Sequence, residues 1–199
     1  MSQSLVRTTA ALVGGLCLAA CAPVQPARPN AVGIAVEPRG GLVLHERAPG
    51  TASPTSLPPS AETRDTLQRI NSYRAAGATC GTQRFAPAAP VAWNALLDQA
   101  AQKHARDMAA RRALSHTGSD GSSMSDRVAR EAYAFSALGE NVSAGYTSVP
   151  AALAGWMRSP GHCANMMSKS FREVGVAGAS APGDSFGWYR AMLLGSPAR

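Results

Sequence analysis

The residues in this chain with the most capacity for chemistry are widely spaced. His116 stands in LSHTGSDG, Glu140 in GENVSAGY, and Ser159, His162 and Cys163 in GWMRSPGHCANMM. Imidazole and carboxylate groups can transfer protons, accept hydrogen bonds or hold a metal, and serine and cysteine act as nucleophiles when a base activates them. The interval from His116 to Glu140 is 24 residues and from Glu140 to His162 is 22, so only a fold can bring them together.

Other nucleophiles are less well placed. Ser115 and Ser159 lack the Gly-x-Ser-x-Gly context of a nucleophile elbow. Cys163 adjoins His162, but chain neighbours usually point apart. His104 falls at helical spacing among apolar residues, where a lone histidine is most often a hydrogen-bonded core residue, so it is left out of the site.

The elements that must carry these residues begin at Ser60. Ser60 caps a helix with Glu62 in its first turn, Leu67, Ile70 and Tyr73 on one side, and Gly77 at the C-terminal left-handed position. A short extended piece at Val91 to Trp93 leads to an Asn94 cap and a helix presenting Leu97, Ala101, His104, Ala105 and Met108. Asp120-Gly121 marks a loop, Ser122 or Ser123 caps a helix from Met124 to about Tyr133, and GENVSAG is a short segment ended by glycine. Ser148 caps a helix with Pro150 near its start and Leu153, Trp156 and Met157 on it, which Pro160 ends. EVGVAGAS and SFGWYRAMLLG are β-like runs joined by the turn Ala181-Pro182-Gly183-Asp184. Helices with strands interposed and gathered at the end predict an α+β layered domain.

The first sixty residues differ in kind. Residues 1–20 have Arg7 followed by a short uncharged run of small and apolar residues, the pattern of a secretory signal rather than a membrane-spanning helix. Leu18-Ala19-Ala20-Cys21 resembles a bacterial lipobox, which makes Cys21 the lipidation site and the membrane a partner through that anchor. Ala22 takes the place of the aspartate that resembles an inner-membrane retention signal, so the outer membrane, a periplasmic face or the exterior is the expected location. Residues 21–60 are proline-rich and read as a disordered tether, with a weak hairpin signal around Arg39-Gly40-Gly41 and an idle, exposed His45. Residues 61–199 form the folded domain, for which a monomer is expected. With Cys17 removed and Cys21 lipidated, Cys80 and Cys163 remain, and pairing is the default in an exported protein. That bridge closes a loop worth about 4 to 5 kcal/mol in the chain-entropy model, an upper figure.

The net charge of +7 becomes +6 without Arg7 and is dispersed among small residues. No basic stripe with interleaved aromatics is present, which argues against nucleic acid, while a general attraction to anionic lipid or acidic wall polymers fits. The Asn141-Val142-Ser143 sequon lies inside a cleft motif of a bacterial-type protein and is discounted.

LSHTGSDG, GENVSAGY, GWMRSPGHCANMM and FREVGVAG, in this order, resemble the CAP (SCP, pathogenesis-related-1) superfamily in its bacterial secreted branch, over roughly residues 65–195. The resemblance implies a three-layer α-β-α sandwich with a small, mostly antiparallel sheet and a central cleft. It also implies that His116, Glu140 and His162 match three of four cleft residues that hold a divalent ion in the eukaryotic branch. The fourth, a glutamate there, is Ser159 here, which leaves at best a triad. The two imidazoles and one carboxylate that the resemblance brings together would make a reasonable zinc site with a fourth position left for water, because nitrogen and anionic oxygen both suit a borderline metal, whereas calcium wants more oxygens. The same three side chains can instead form a hydrogen-bonded polar cluster that orders the loops of the cleft. Three functions are consistent with this. One is an envelope binding module whose cleft accepts a small apolar or wall-derived ligand. Another is a metal-assisted hydrolase with water activated between the histidines and Glu140. The last is a passive structural protein of the envelope.

Overall fold

The computed structural model describes residues 60–198 and the strand β1 (Ala35–Pro38). The signal, Cys21, the turn at Arg39-Gly40-Gly41 and His45 lie outside the described residues.

Local chemistry sets the element boundaries. The Ser60 hydroxyl accepts from the Thr63 amide at 3.0 Å and starts α1 (Ala61–Ala76), which Gly77 closes with φ of 72°. A hairpin that the sequence pattern did not reveal follows, β2 (Ala78–Cys80) and β3 (Gln83–Phe85), turning on Gly81. After β4 (Ala92–Trp93), the Asn94 side chain caps α2 (Ala95–Arg111) through the Leu96 and Leu97 amides. Ser123 and Asp126 form a reciprocal capping box on α3 (Met124–Arg130). That helix ends earlier than the expected Tyr133, which instead packs in the core. GENVSAG proves to be the second half of a ten-residue strand, β5 (Phe135–Ala144). Ser148 caps α4 (Val149–Arg158). Pro160 does not simply end that helix: it opens another, α5 (Pro160–Met167), at the first-turn position where its missing N–H is not needed. β6 (Glu173–Ser180) and β7 (Trp188–Pro197) complete the chain.

Five strands form one sheet in the order β1-β5-β7-β6-β4, antiparallel except for the β4–β6 pair. Side chains along β7 alternate between two cores. Tyr189, Ala191 and Leu193 join α2 and α3, with Leu97, Ala101, Met108 and Val128. Met192 and Leu194 join α1, α4 and α5, with Ile70, Leu153, Trp156 and Met166. This is the three-layer α-β-α sandwich, and its mostly antiparallel sheet is as expected. α2 lies so close to β6 that a Cβ at Gly175 would collide with the Leu97–Asp98 backbone.

Within the segment 21–60, residues 35–38 pair with β5 in register, Ala35 opposite Glu140 and Pro38 opposite Ala137. Proline is tolerated there because an edge strand does not require every N–H.

Two buried ties hold α5 in place. Arg74 of α1 donates from Nη1 to the carbonyls of Met166 and Ser168 at 2.7 and 2.9 Å. Cys80 of β2 is bridged to Cys163 with a Cα separation of 5.5 Å, as the cysteine count predicts. Replacing both cysteines by serine is expected to lower the unfolding free energy by roughly 2–4 kcal/mol, read as an earlier urea midpoint under non-reducing conditions. Reductant should then have no further effect on the variant.

Candidate functional site

Glu140 is fully buried at the centre of β5, on the same sheet face as Leu138 and Val142. A carboxylate there needs charged or hydrogen-bonding partners, and it has them on both oxygens. His116 Nδ1 lies 2.7 Å from Oε1, and Arg127 Nη2 of α3 donates to Oε2 at 2.6 Å. Because ionised Glu140 can only accept, His116 donates through Nδ1, which fixes the orientation of its ring. Arg127 Nη1 also donates to the carbonyls of His116 and Ser122, so one guanidinium holds both the carboxylate and the loop carrying His116. Burial pushes Glu140 toward protonation, but the His116 hydrogen bond and the nearby Arg127 charge outweigh it and hold the group below the usual carboxylate range.

His104 of α2 is a hydrogen-bonded core residue, as expected, with Nε2 2.9 Å from the Ser115 carbonyl. It also stands 3.9 Å from Glu140 Oε2, and so borders the site from which sequence reasoning had excluded it. Burial lowers its pKa, so the ring is neutral at pH 7 and that contact is not an ion pair.

His162 is buried on α5, which packs against the other face of the sheet. Its Nδ1 lies 2.8 Å from Ser159 Oγ, so the serine at the departed fourth position contacts the second histidine. Asn141 Nδ2 donates to the His162 carbonyl, and Asn165 Nδ2 donates to both Asn141 Oδ1 and the Glu140 carbonyl. The structure thus brings His116 and Glu140 together by side chain and ties His162 to them through backbone and asparagine contacts.

Among the described residues, no group of three or more His, Cys, Asp or Glu stands at metal-ligating spacing. The donor set also fits a metal poorly, since both Glu140 oxygens are engaged and a guanidinium occupies the side a cation would need. His116, Glu140 and Arg127 form one hydrogen-bonded cluster. Sequence reasoning missed Arg127, one of many dispersed arginines with no positional signal, and Asn165, which only the α5 turn after Pro160 brings to β5.

Two buried atoms next to this cluster, His104 Nδ1 and Arg127 Nε, have no hydrogen-bond partner. Such groups typically cost about 1–3 kcal/mol each when left unmade.

Glu140→Gln should destabilise the domain at pH 7 by about 3–5 kcal/mol, the usual cost of breaking a buried pair. Because folding depresses the Glu140 pKa, its contribution is complete above the unfolded value near 4.5 and fades as pH falls through the folded one. The stability gap between wild type and variant in urea titrations should therefore be largest at neutral pH and shrink below pH about 4.5.

The chain matches the family model for CAP, the Cysteine-rich secretory protein family, over residues 67–192. It is 30% identical over 88 residues to the uncharacterized membrane protein YlbC of Bacillus subtilis (strain 168), a match covering 44% of this chain and only 25% of that protein. Its fold is similar to that of an outer surface protein from Borrelia burgdorferi, with a TM-score of 0.54 at 15% identity, covering 68% of this chain and 96% of that one. An extracellular protein containing an SCP domain from Bacillus anthracis str. Ames is similar with a TM-score of 0.51 at 23% identity, covering 71% of this chain and 45% of that one. With the four motifs, the α-β-α sandwich and a family model spanning most of the folded residues in agreement, the chain belongs to the CAP family.

Proposed function

We propose that this CAP protein is an exported binding module of the cell envelope, anchored through lipid on Cys21, whose cleft takes a small apolar or wall-derived ligand over a polar floor of His116, Glu140, Ser159 and His162. The observation that carries binding over turnover is the engagement of both Glu140 oxygens, by His116 and by Arg127. A general base or metal ligand needs an oxygen that can change partners. This carboxylate instead orients His116. Three further features support the reading. The Cys80–Cys163 bridge suits an oxidising compartment. The dispersed positive charge suits an anionic surface. The relatives described above carry membrane, outer-surface and extracellular names.

The test uses the full chain expressed in a bacterium that processes lipoproteins. Cys21→Ser should move the protein from the membrane pellet to the soluble extracytoplasmic fraction. A folded His116→Ala/His162→Ala variant should lose roughly tenfold in affinity for solubilised wall fragments or phospholipid vesicles, while wild type keeps its affinity in chelator. Unchanged binding in the double variant would remove the cleft from the proposal. Substrate turnover abolished by chelator would replace the binding module with the hydrolase.

A further inference from the structure

The sheet divides the charge of the domain unequally. α1, α4 and α5 cover one face and α2 and α3 the other. Residues 60–94 and 145–172, which build the first layer and the β2–β3 hairpin, hold seven cationic and two acidic residues. Residues 95–144 and 173–198, which build the second layer and strands β5 to β7, hold seven and eight. A charge that looks dispersed along the sequence is therefore an excess on one side of the fold.

On that side the segment from Phe85 to Trp93, FAPAAPVAW, contains no polar side chain. Ala86, Pro87, Ala89, Pro90 and Ala92 are exposed, and Phe85 and Trp93 are half-buried. Single exposed apolar residues are ordinary, but an unbroken run makes a continuous apolar surface. The segment is pinned in place. Asn71 of α1 accepts from the Val91 amide at 2.9 Å, and Arg74 Nε donates to the Ala89 carbonyl at 2.8 Å. The same guanidinium holds the Met166 and Ser168 carbonyls, and the Ala92 amide donates to the Arg172 carbonyl at 2.8 Å. The apolar run thus lies beside Lys169 and Arg172, and Arg84 directly precedes it.

Arg84, Lys169 and Arg172 are exposed, and none of them forms an ion pair among the described residues. The acids nearest in the chain are turned elsewhere. Asp65 is taken by Arg69 at 2.7 Å, and Glu62 stands in the first turn of α1, at the far end of that helix from Asn71 and Arg74. Glu173, next to Arg172, accepts from the Tyr133 hydroxyl on the α2 side of the sheet.

An apolar run rimmed by unpaired cations fits a surface that offers anionic groups above an apolar interior. Alanine and proline are too short to anchor in a protein pocket, where aromatic and arginine side chains carry most of the affinity. Both aromatics of the run are half-buried, which leaves no open platform for stacking bases. We propose that this face, residues 85–93 with Arg84, Lys169 and Arg172 around them, docks the folded domain on a bilayer rich in anionic lipid. The contact is separate from the cleft and from the Cys21 anchor and rests on neither.

The test is sedimentation of the full chain carrying Cys21→Ser, so that no lipid anchor contributes, with vesicles of phosphatidylglycerol and phosphatidylcholine in equal parts. The chain should bind these vesicles, be released by molar salt, and ignore pure phosphatidylcholine. Arg84→Ala/Lys169→Ala/Arg172→Ala should weaken partitioning roughly a hundredfold, about fivefold for each charge. Ala89→Asp should weaken it by at least about fivefold. Arg106→Ala/Arg112→Gly/Arg130→Ala removes as much charge from the α2–α3 layer and should change it by less than about threefold. All these positions are exposed, so the variants keep the fold. No binding to the anionic vesicles, equal binding to neutral ones, or equal losses from the two triple variants would overturn the proposal. So would a chain that ignores vesicles and binds soluble polyphosphate or DNA instead. Loss on anionic vesicles that follows His116→Ala/His162→Ala, with the Arg84, Lys169 and Arg172 variant binding as wild type, would return the binding to the cleft. Failure of the face is thereby distinguishable from failure of the cleft reading.

Discussion

A negative charge with no access to water sits in the middle of a β-strand, and much of the molecule is arranged so that it can remain there. The Glu140 carboxylate is tolerable only because a guanidinium from α3 and an imidazole from the loop after α2 converge on it. Those groups come from separate stretches of chain, so the carboxylate works as a registration point. α3 must dock with Arg127 inward, and the loop after α2 must present His116 at one angle. Burial alone would protonate the acid, and its partners reverse that outcome.

On the opposite face the same strand is held by neutral hydrogen bonds. Asn141 and Asn165 clasp one another and the backbone of Glu140 and His162, so α5 is placed relative to the buried charge without a second charge. Arg74 satisfies the carbonyls at the end of that helix, and the disulfide fixes its start to the β2–β3 hairpin. Both histidines are therefore held by neighbours with little freedom to rearrange. That rigidity suits recognition of a preformed shape better than chemistry in which ligands exchange.

The sequence was informative where periodicity and capping chemistry act locally. Ser60, Asn94, Ser123 and Ser148 each cap the helix they announce, and the β-like runs near the C-terminus become β6 and β7. It was less informative where local signals compete with tertiary ones. Pro160 reads as a stop because proline breaks helices, yet it is equally at home as a first residue, and only packing decides between the two. The β2–β3 hairpin is too short to carry a pattern. Of the site, the motifs pointed to His116, Glu140, Ser159 and His162, but not to how they are partnered. Arg127 decides the chemistry of Glu140, and nothing in SDRVAR distinguishes it from a surface arginine before the fold turns it inward.

The pairing of β1 with β5 makes the strand that carries Glu140 an interior one, with β7 on its other side. Ala35 stands opposite Glu140 itself, so peeling β1 away would bare the backbone of the buried charge's own strand and open an edge on which another strand could pair.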